Sequence, residues 1–216
     1  MELLEERRQV VDHCRRMRAE GLVVGTSGNI SVRGDGDLVA VSPSGLDYDE
    51  MTPDLVGVHR LDGSPVDAPL LPTTEMAMHL AVYARTDARA IVHTHSTSAT
   101  VLSTLMDEVP PIHYLIAMFG GPVRVASYAT YGTPELAASV IRALEGRTAC
   151  LLANHGAITY GETLAGAYSQ AVHLEWICDV YLRASAGAPR LLPSEEIEKV
   201  RERLTAYGPA PTPGDG

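Results

Sequence analysis

The stretch Arg89-Ala90-Ile91-Val92-His93-Thr94-His95-Ser96 combines a run of strand-forming residues with a pair of histidines. Its apolar and β-branched residues predict a strand, which runs into two histidines spaced i, i+2. Successive strand side chains alternate faces, so His93 and His95 leave the same face, about 6.6 Å apart along the strand. Two such imidazoles can converge on one metal ion with bonds of about 2.0–2.1 Å. Polar residues on the exposed face of a sheet would show the same pattern, so both interpretations stay open at this point.

The composition excludes several classes of function. The 17 Lys and Arg residues against 27 Asp and Glu give a net charge of −10, which repels nucleic acid and anionic membranes. No apolar run approaches the roughly 18 residues of a membrane helix, and the N-terminus is charged. The three cysteines lack CxxC spacing and are expected to be reduced core residues. We therefore expect a cytoplasmic protein with no membrane or nucleic-acid partner.

The pattern along the chain predicts an α/β domain. A single domain is expected over residues 1–208, followed by a loose Pro- and Gly-rich tail over 209–216. Many strands are joined by short turns, which favours a mixed or largely antiparallel sheet with helices on both faces; a doubly wound parallel sheet is the alternative. Helices are predicted near 2–20, 72–85, 97–105, 133–144, 162–184 and 194–206, and strands near 30–33, 38–41, 55–61, 89–96, 123–125 and 150–153.

A third histidine and a carboxylate strengthen the metal interpretation. His155 follows a predicted buried strand and precedes Gly156, which would permit a sharp turn, although it could simply cap the strand end. Three histidines leave one position of a tetrahedral zinc for a labile carboxylate, which suits catalysis. Glu75, in the first turn of the helix before the histidine strand, is the candidate, although an acid there also complements the helix dipole. His79 shares its helix face but is expected to be a packed residue and not a ligand.

Three loops of small polar residues suggest an anion site. They are Gly25–Asn29, Ser42–Gly45 and Pro72–Thr74, and a Thr in the last is expected to cap the following helix. Free backbone N–H groups together with hydroxyl and amide side chains form a good cradle for a phosphate dianion. None of the loops matches a P-loop or a GxGxxG motif, and each alone is more typical of a turn. Together they predict a phosphate site that depends on backbone dipoles and the metal, because Lys and Arg are scarce nearby.

Taken in order, these motifs resemble the class II aldolase/adducin family, and within it the L-fuculose-1-phosphate aldolase branch. The resemblance extends from residue 1 to about residue 208, and the ordered set is specific although each motif alone is weak. The matching stretches are Gly25–Arg33, Ser42–Gly45, Leu71–Glu75, Ile91–His95, Ile112–Tyr114, Tyr128–Thr133, Asn154–Gly156 and Thr205–Gly208.

The resemblance implies a three-layer α/β/α fold with a central, mostly antiparallel sheet, and a homotetramer with active sites between adjacent subunits. It implies one Zn²⁺ per subunit on His93, His95 and His155, with Glu75 as a ligand that moves aside for substrate. Thr73 and Thr74 stand where the branch has serines, and both keep the hydroxyl. The phosphate-binding positions implied by the resemblance are Thr26, Gly28, Asn29, Ser44, Gly45, Thr73 and Thr74.

The resemblance also assigns roles to three tyrosines. Tyr114 matches a catalytic tyrosine contributed across the subunit interface, and Tyr207 matches a C-terminal tyrosine that covers the site. Tyr131 stands where the branch has phenylalanine and is expected to alter the aldehyde pocket. The implied reaction is zinc-dependent, reversible retro-aldol cleavage of a ketose 1-phosphate, with L-fuculose 1-phosphate giving dihydroxyacetone phosphate and L-lactaldehyde. Glu75 and Tyr114 would be the base and the acid of the synthetic direction.

Three alternative functions remain at this stage. An L-ribulose-5-phosphate 4-epimerase of the same family uses the same chemistry, but its Thr-His-Ala-Asp-like segment carries an acid that Ile112–Met118 lacks, which favours the aldolase. A 5-deoxyribulose-1-phosphate aldolase would bind a substrate with the same phosphate end. A non-catalytic, adducin-like interaction module would be expected to have degraded metal ligands, whereas all four are present here.

Overall fold

A computed structural model describes residues 1–205, so Tyr207 and the predicted tail over 209–216 lie outside the described residues. No helix within the described chain is long and apolar enough to cross a membrane. The strands are β1 Asn29–Arg33, β2 Leu38–Val41, β3 Gly57–Arg60, β4 Pro65–Asp67, β5 Ala90–Thr94, β6 Glu108–Val109, β7 Val123–Ala126, β8 Ala149–Leu152 and β9 Gly156–Gly161. The helices are α1 Leu4–Ala19, α2 Met76–Arg85, α3 Thr97–Ser103, α4 Pro134–Ala143, α5 Leu164–Ala184 and α6 Ser194–Thr205, with a 3₁₀ helix at Tyr114–Phe119.

The described strands form one nine-stranded sheet in the order β4-β3-β2-β1-β5-β9-β8-β7-β6. The histidine strand β5 lies at its centre, antiparallel to both β1 and β9. Among the described strands, β7 and β8 are the one parallel pair. The predicted mixed, mostly antiparallel sheet is therefore confirmed, and the doubly wound parallel alternative is wrong.

Helices cover both faces of the sheet, and successive side chains of β5 pack against different helices on the two faces. Ala90 and Val92 pack with residues of α1 and α5, whereas Ile91 packs with residues of α2 and α4. Burying a side chain such as Val or Ile contributes about 1.5–3 kcal/mol, so this alternation fixes the strand's register firmly. His93 lies on the same face as Ile91 because the two are i, i+2, and it is therefore directed towards the layer that contains α2.

Several predicted elements need correction. The predicted Thr cap of α2 is wrong: Glu75 occupies the N-cap position, and the Thr73 hydroxyl instead accepts a hydrogen bond from the Glu75 backbone N–H at 3.2 Å. Such a local hydroxyl-to-backbone turn competes with helix capping, so the helix begins later than predicted. By contrast, Thr133 caps α4 as expected. Three strands were not predicted from the sequence: β4, β6 and β9.

Candidate metal centre and phosphate cavity

The sheet orients His93 before any ligand is considered. Its Cα is paired with that of Asn29 on β1 and with that of Ile158 on β9, so the backbone is held from both sides. The ring Nδ1 donates a hydrogen bond to the carbonyl oxygen of Ala157 at 2.9 Å. A carbonyl can only accept, so in the neutral ring the lone pair lies on Nε2, which faces the neighbouring histidines.

The turn between β8 and β9 places His155 beside β5. Asn154 has φ 55, the left-handed conformation that Asn tolerates better than most residues. Gly156 does not have a positive φ, and its role differs from the predicted sharp turn. A Cβ at this position would lie 2.2 Å from the carbonyl oxygen of Thr94, so glycine is needed for β9 to approach β5 closely. The left-handed residue of the turn is therefore Asn154, and Gly156 brings His155 close to the histidine strand.

Glu75, His93, His95 and His155 converge, and one ligand atom of each lies within 4.8 Å of all the others. His93 Nε2 lies 2.9 Å from His95 Nε2 and 3.0 Å from Glu75 Oε2. His155 Nε2 lies 3.3 Å from Glu75 Oε1. Bonds of about 2.0–2.1 Å to a tetrahedral ion would separate ligand atoms by about 3.3 Å, which is close to these values.

The chemistry of the four side chains also fits a cation. Glu75 is 4% exposed, and within the described chain its Oε1 has no hydrogen-bond partner. A buried carboxylate oxygen is costly unless a donor or a cation compensates it. Three imidazoles and one carboxylate are ligands that zinc accepts, and other divalent transition metals accept them as well. The cluster therefore fits a divalent metal ion, and its residues do not by themselves select the element.

Burial and mutual charge set the protonation of this cluster. Burial acts to raise the pKa of Glu75, but the charges of His93 and His155 and the hydrogen bonds from His93 and Asn29 bring it well below its ordinary range. Burial acts to lower the pKa of His93, and the Glu75 charge raises it above its ordinary value. Burial, assisted by the charge of His93, lowers the pKa of His95 to about 3 and that of His155 to about 4. Two of the three imidazoles are thus neutral at physiological pH, the form that binds metals.

A chain of buried polar side chains continues behind Glu75, and we name it the polar ladder: Asn29, His79, Ser31 and Tyr83. Asn29 Nδ2 donates to Glu75 Oε2 at 2.9 Å, and His79 Nε2 lies 2.7 Å from Asn29 Oδ1. The other ring nitrogen of His79 lies 2.7 Å from Ser31 Oγ. Both His79 nitrogens are therefore occupied, as expected for a packed residue outside the ligand set. The ladder was not predicted from the sequence, although the i, i+4 spacing from Glu75 to His79 was a usable signal.

The residues predicted to bind phosphate surround one cavity of about 340 Å³, which Glu75 and Tyr131 also line. The loops that form it are tied together, since Thr73 N donates to Ser42 O and Ser44 N donates to Leu71 O, both at 3.0 Å. Two further lining residues, Ser27 and Pro43, were not predicted. No Lys or Arg of the described chain lines this cavity. All seven predicted positions contribute: Thr26, Gly28, Asn29, Ser44, Gly45, Thr73 and Thr74.

The two predicted tyrosines within the described residues lie in different places. Tyr131 is 64% exposed at the edge of the cavity. Tyr114, 48% exposed, is not among the residues that line it and instead borders a second cavity of about 430 Å³ beside α6. The fold of one chain therefore brings Tyr131, but not Tyr114, to the metal-binding candidates.

This chain is similar in sequence to proteins that are named as sugar-phosphate aldolases. A Bacillus thuringiensis protein named 5-deoxy-D-ribulose 1-phosphate aldolase is 40% identical over 211 residues, which cover 96% of this chain and 99% of that protein. A Rhodospirillum rubrum protein named 5-methylthioribulose-1-phosphate/5-deoxyribulose-1-phosphate aldolase is 40% identical over 205 residues, covering 94% and 92%.

A solved structure named L-fuculose 1-phosphate aldolase superposes with a TM-score of 0.90 at 39% identity, covering 93% of this chain and 96% of that one. Residues 8–182 match the family described as Class II Aldolase and Adducin N-terminal domain. A match over most of the sequence, joined to the same fold, confirms the resemblance drawn from the motifs. The chain belongs to the class II aldolase and adducin N-terminal domain family.

Proposed function

We propose that this chain is a metal-dependent aldolase that reversibly cleaves a ketose 1-phosphate between C3 and C4, giving dihydroxyacetone phosphate and an aldehyde. The observation that carries the proposal is the convergence of Glu75 and three histidines beside a cavity lined with hydroxyl side chains, glycines and Asn29. Membership of the family supports it. A non-catalytic module would have no use for four convergent ligands, one of them a buried carboxylate.

The proposed ion is Zn²⁺, one per subunit, held by His93, His95, His155 and Glu75. When bound, it would act as a Lewis acid towards the negative charge that develops on the dihydroxyacetone phosphate half. The side chains around it have their own tasks. The Ala157 carbonyl keeps His93 in the tautomer that presents Nε2, and the low pKa of His95 and of His155 keeps both rings available as neutral ligands.

The cavity is proposed to bind the phosphate dianion of the substrate. Its hydroxyls at Thr26, Ser44 and Thr74 belong to exposed residues and can reach a ligand, and the N-terminal end of α2 adds a favourable helix dipole. Asn29 uses one amide hydrogen for Glu75 and has a second for the ligand. Local donors are required because the net charge of −10 opposes an anion.

Two residues are proposed to move the protons. Cleavage takes a proton from the C4 hydroxyl as the C3–C4 bond breaks, and a proton is then delivered to C3. Glu75 borders the cavity and carries an oxygen without a hydrogen-bond partner in the described chain, so it is the proposed group at C3. Tyr114 is the proposed group at the C4 oxygen, as the family resemblance implies. Because its exposed ring does not reach the cavity of its own chain, the proposal places it in the site of an adjacent subunit of a homotetramer. Tyr207 is proposed to cover the site.

The proposed substrate class is a ketose 1-phosphate whose aldehyde half ends in a carbon without a hydroxyl. The relatives are named for 5-deoxyribulose, 5-methylthioribulose and L-fuculose phosphates, which share this property. 5-Deoxyribulose 1-phosphate would yield acetaldehyde, and L-fuculose 1-phosphate would yield L-lactaldehyde. Identities of 40% and 39% do not separate the two sugars, so the proposal is the class and not one member.

A substrate panel tests the reaction. Purified protein is assayed with 5-deoxyribulose 1-phosphate, L-fuculose 1-phosphate and L-ribulose 5-phosphate, and dihydroxyacetone phosphate is detected by its coupled reduction. We expect cleavage of the first two and a loss of at least about 100-fold in kcat for Glu75→Gln, the range for removal of a general base. Conversion of the pentulose 5-phosphate without release of a three-carbon product would replace the aldolase with an epimerase. A folded, metal-loaded protein that turns over none of the three would favour the interaction module.

Subunit mixing tests the shared site. Glu75→Gln and Tyr114→Phe proteins are each expected to be nearly inactive homotetramers. If each site combines Glu75 from one subunit with Tyr114 from the next, random reassembly of equal amounts restores about a quarter of the intact sites. Light scattering checks the assembly, and unmixed samples taken through the same dissociation are the control. Absence of any recovery in correctly assembled hybrids would place both groups in one subunit or remove Tyr114 from the mechanism.

A further inference from the structure

The polar ladder arises from two periodic patterns that interleave. Glu75, His79 and Tyr83 are spaced i, i+4 and form one stripe that runs along α2 from its N-cap. Asn29 and Ser31 are i, i+2 on β1 and share one face of that strand. The hydrogen bonds alternate between helix and strand, in the order Glu75, Asn29, His79, Ser31, Tyr83. Each of these five side chains belongs to a residue at most 4% exposed.

Chemistry fixes the direction of every bond in this chain. The Glu75 carboxylate can only accept, so the Asn29 amide group faces it and leaves Asn29 Oδ1 as an acceptor for His79 Nε2–H. His79 Nδ1 must then accept, and Ser31 Oγ is the donor at 2.7 Å. The Tyr83 hydroxyl, 2.8 Å from Ser31 Oγ, donates in turn. All four donors therefore point towards the carboxylate, an arrangement in which each bond polarises the next.

We propose that His79 is a positioning residue for Glu75: held by Ser31 and Tyr83, it locks the Asn29 amide so that Asn29 fixes Oε2 of the carboxylate. The catalytic meaning of this inference rests on the proposed function, since it assumes that Glu75 acts in the reaction. An Asn29 side chain rotated by half a turn would place its oxygen against the carboxylate and its NH₂ against His79 N–H. His79 excludes that arrangement, and Oε1, which has no hydrogen-bond partner in the described chain, remains the carboxylate oxygen beside His155.

Graded variants test the ladder against matched controls. Ser31→Ala removes the donor to His79, and Ser139→Ala is its control because Ser139 is also buried and its hydroxyl donates to the Ser127 carbonyl elsewhere. We expect Ser31→Ala to lower kcat by about 10-fold with KM within about twofold, as for other residues that orient a ligand. Ser139→Ala should stay within twofold of wild type. Equal activity of the two variants would overturn the proposal.

Substitutions at His79 separate positioning from packing. His79→Leu fills the space without hydrogen bonds and is expected to lower kcat and zinc affinity by about 10-fold to 100-fold. His79→Gln can donate and accept, and it should recover part of both. The same loss in both variants, with circular dichroism like that of wild type, would show that the hydrogen bonds are not used. Tyr83→Phe is expected to have the smallest effect, and Tyr168→Phe, which removes a bond to Glu20 instead, is its control.

A spectroscopic measurement tests the geometry without any activity. In the metal-free protein, ¹⁵N-labelled His79 should show the Nε2–H tautomer, with an Nδ1 signal that shifts in Ser31→Ala and not in Ser139→Ala. Detection of the Nδ1–H tautomer would overturn the inference. If no aldolase activity is found, zinc competition against a chelator in the same variants still decides: weaker binding in His79→Leu and Ser31→Ala supports positioning of Glu75, and unchanged binding rejects it.

Discussion

The two sides of the cavity are built in different ways. On the metal side, Glu75 and His93 are 4% and 0% exposed, and each is held by hydrogen bonds from the same chain. On the open side, Tyr131 is 64% exposed. The proposed substrates share the phosphate and keto end and differ in the aldehyde half. We therefore expect the buried side to determine which reaction occurs and the exposed side to determine which aldehyde is accepted.

The largest effect should come from the buried side. His155→Ala removes one proposed metal ligand whose side chain is 12% exposed, so the fold should tolerate it. Loss of Lewis-acid stabilisation of several kcal/mol corresponds to a drop of about a thousandfold in kcat/KM. Metal content by mass spectrometry and the cleavage assay check this, with His173→Gln, at a half-buried position on α5 outside the cluster, as the control. Full activity in a chelator, or of a protein that contains no divalent metal, would remove the metal from the proposal.

A smaller loss, the same for every substrate, is expected from the proposed phosphate contacts. Thr74→Val removes one hydroxyl at the cavity from an exposed residue and leaves the shape unchanged. A hydrogen bond to a charged group is worth about 1.5–3 kcal/mol, so kcat/KM should fall by about 10-fold to 100-fold. Thr104→Val, an exposed threonine on another surface, is the control. A loss confined to one aldehyde would show that Thr74 belongs to the selective side instead.

Tyr131→Phe should change the choice of substrate and leave the reaction intact. It removes a hydroxyl from an exposed ring at the edge of the cavity. Gain or loss of one neutral hydrogen bond, about 1 kcal/mol, should alter the ratio of kcat/KM for L-fuculose 1-phosphate to that for 5-deoxyribulose 1-phosphate by about fivefold. Tyr128→Phe, which is 66% exposed and outside the cavity lining, is the matched control. An equal loss on both sugars would assign Tyr131 to the shared chemistry.

The difference between the two sides also explains what could be predicted from the sequence. His93 and His95 were accessible because strand geometry alone sets their common face. The phosphate loops were recognisable as small-residue turns, and the structure brings them together around one cavity. Both signals are local, and the family resemblance then joined them into one site.

What the sequence did not reveal depends on contacts between distant segments. Strand β9 carries the strand formers Ile158, Thr159 and Tyr160 between two glycines, so a local signal was present. Its place beside β5, which lies more than sixty positions earlier, was not visible in the sequence. The polar ladder appears only when the stripe on α2 is placed against the face of β1. The position of Tyr114 relative to a neighbouring subunit follows from the resemblance alone.

A histidine outside the site gives the smallest expected effect on activity and a contrast to the buried side. His59 on β3 is 3% exposed, and burial lowers its pKa more than the backbone of Gly63 raises it. The unfolded chain, with a histidine pKa of about 6.5, therefore binds a proton before the folded chain does. Stability contributed by neutral His59 is present above about pH 6.5 and is lost as the pH falls towards the lower folded pKa.

His59→Leu should therefore flatten the loss of stability on the acid side. We expect the slope of the unfolding free energy below about pH 6.5 to decrease by up to about 1.4 kcal/mol per pH unit, while activity at neutral pH stays within about twofold. Denaturant unfolding of metal-free protein at several pH values measures the slope. The other buried histidines titrate in both proteins, so the difference isolates His59. An unchanged slope would mean that His59 takes up its proton without disturbing the fold. A loss of cleavage activity in His59→Leu would show that β3 influences the buried side of the cavity, and that His59 is not independent of the site.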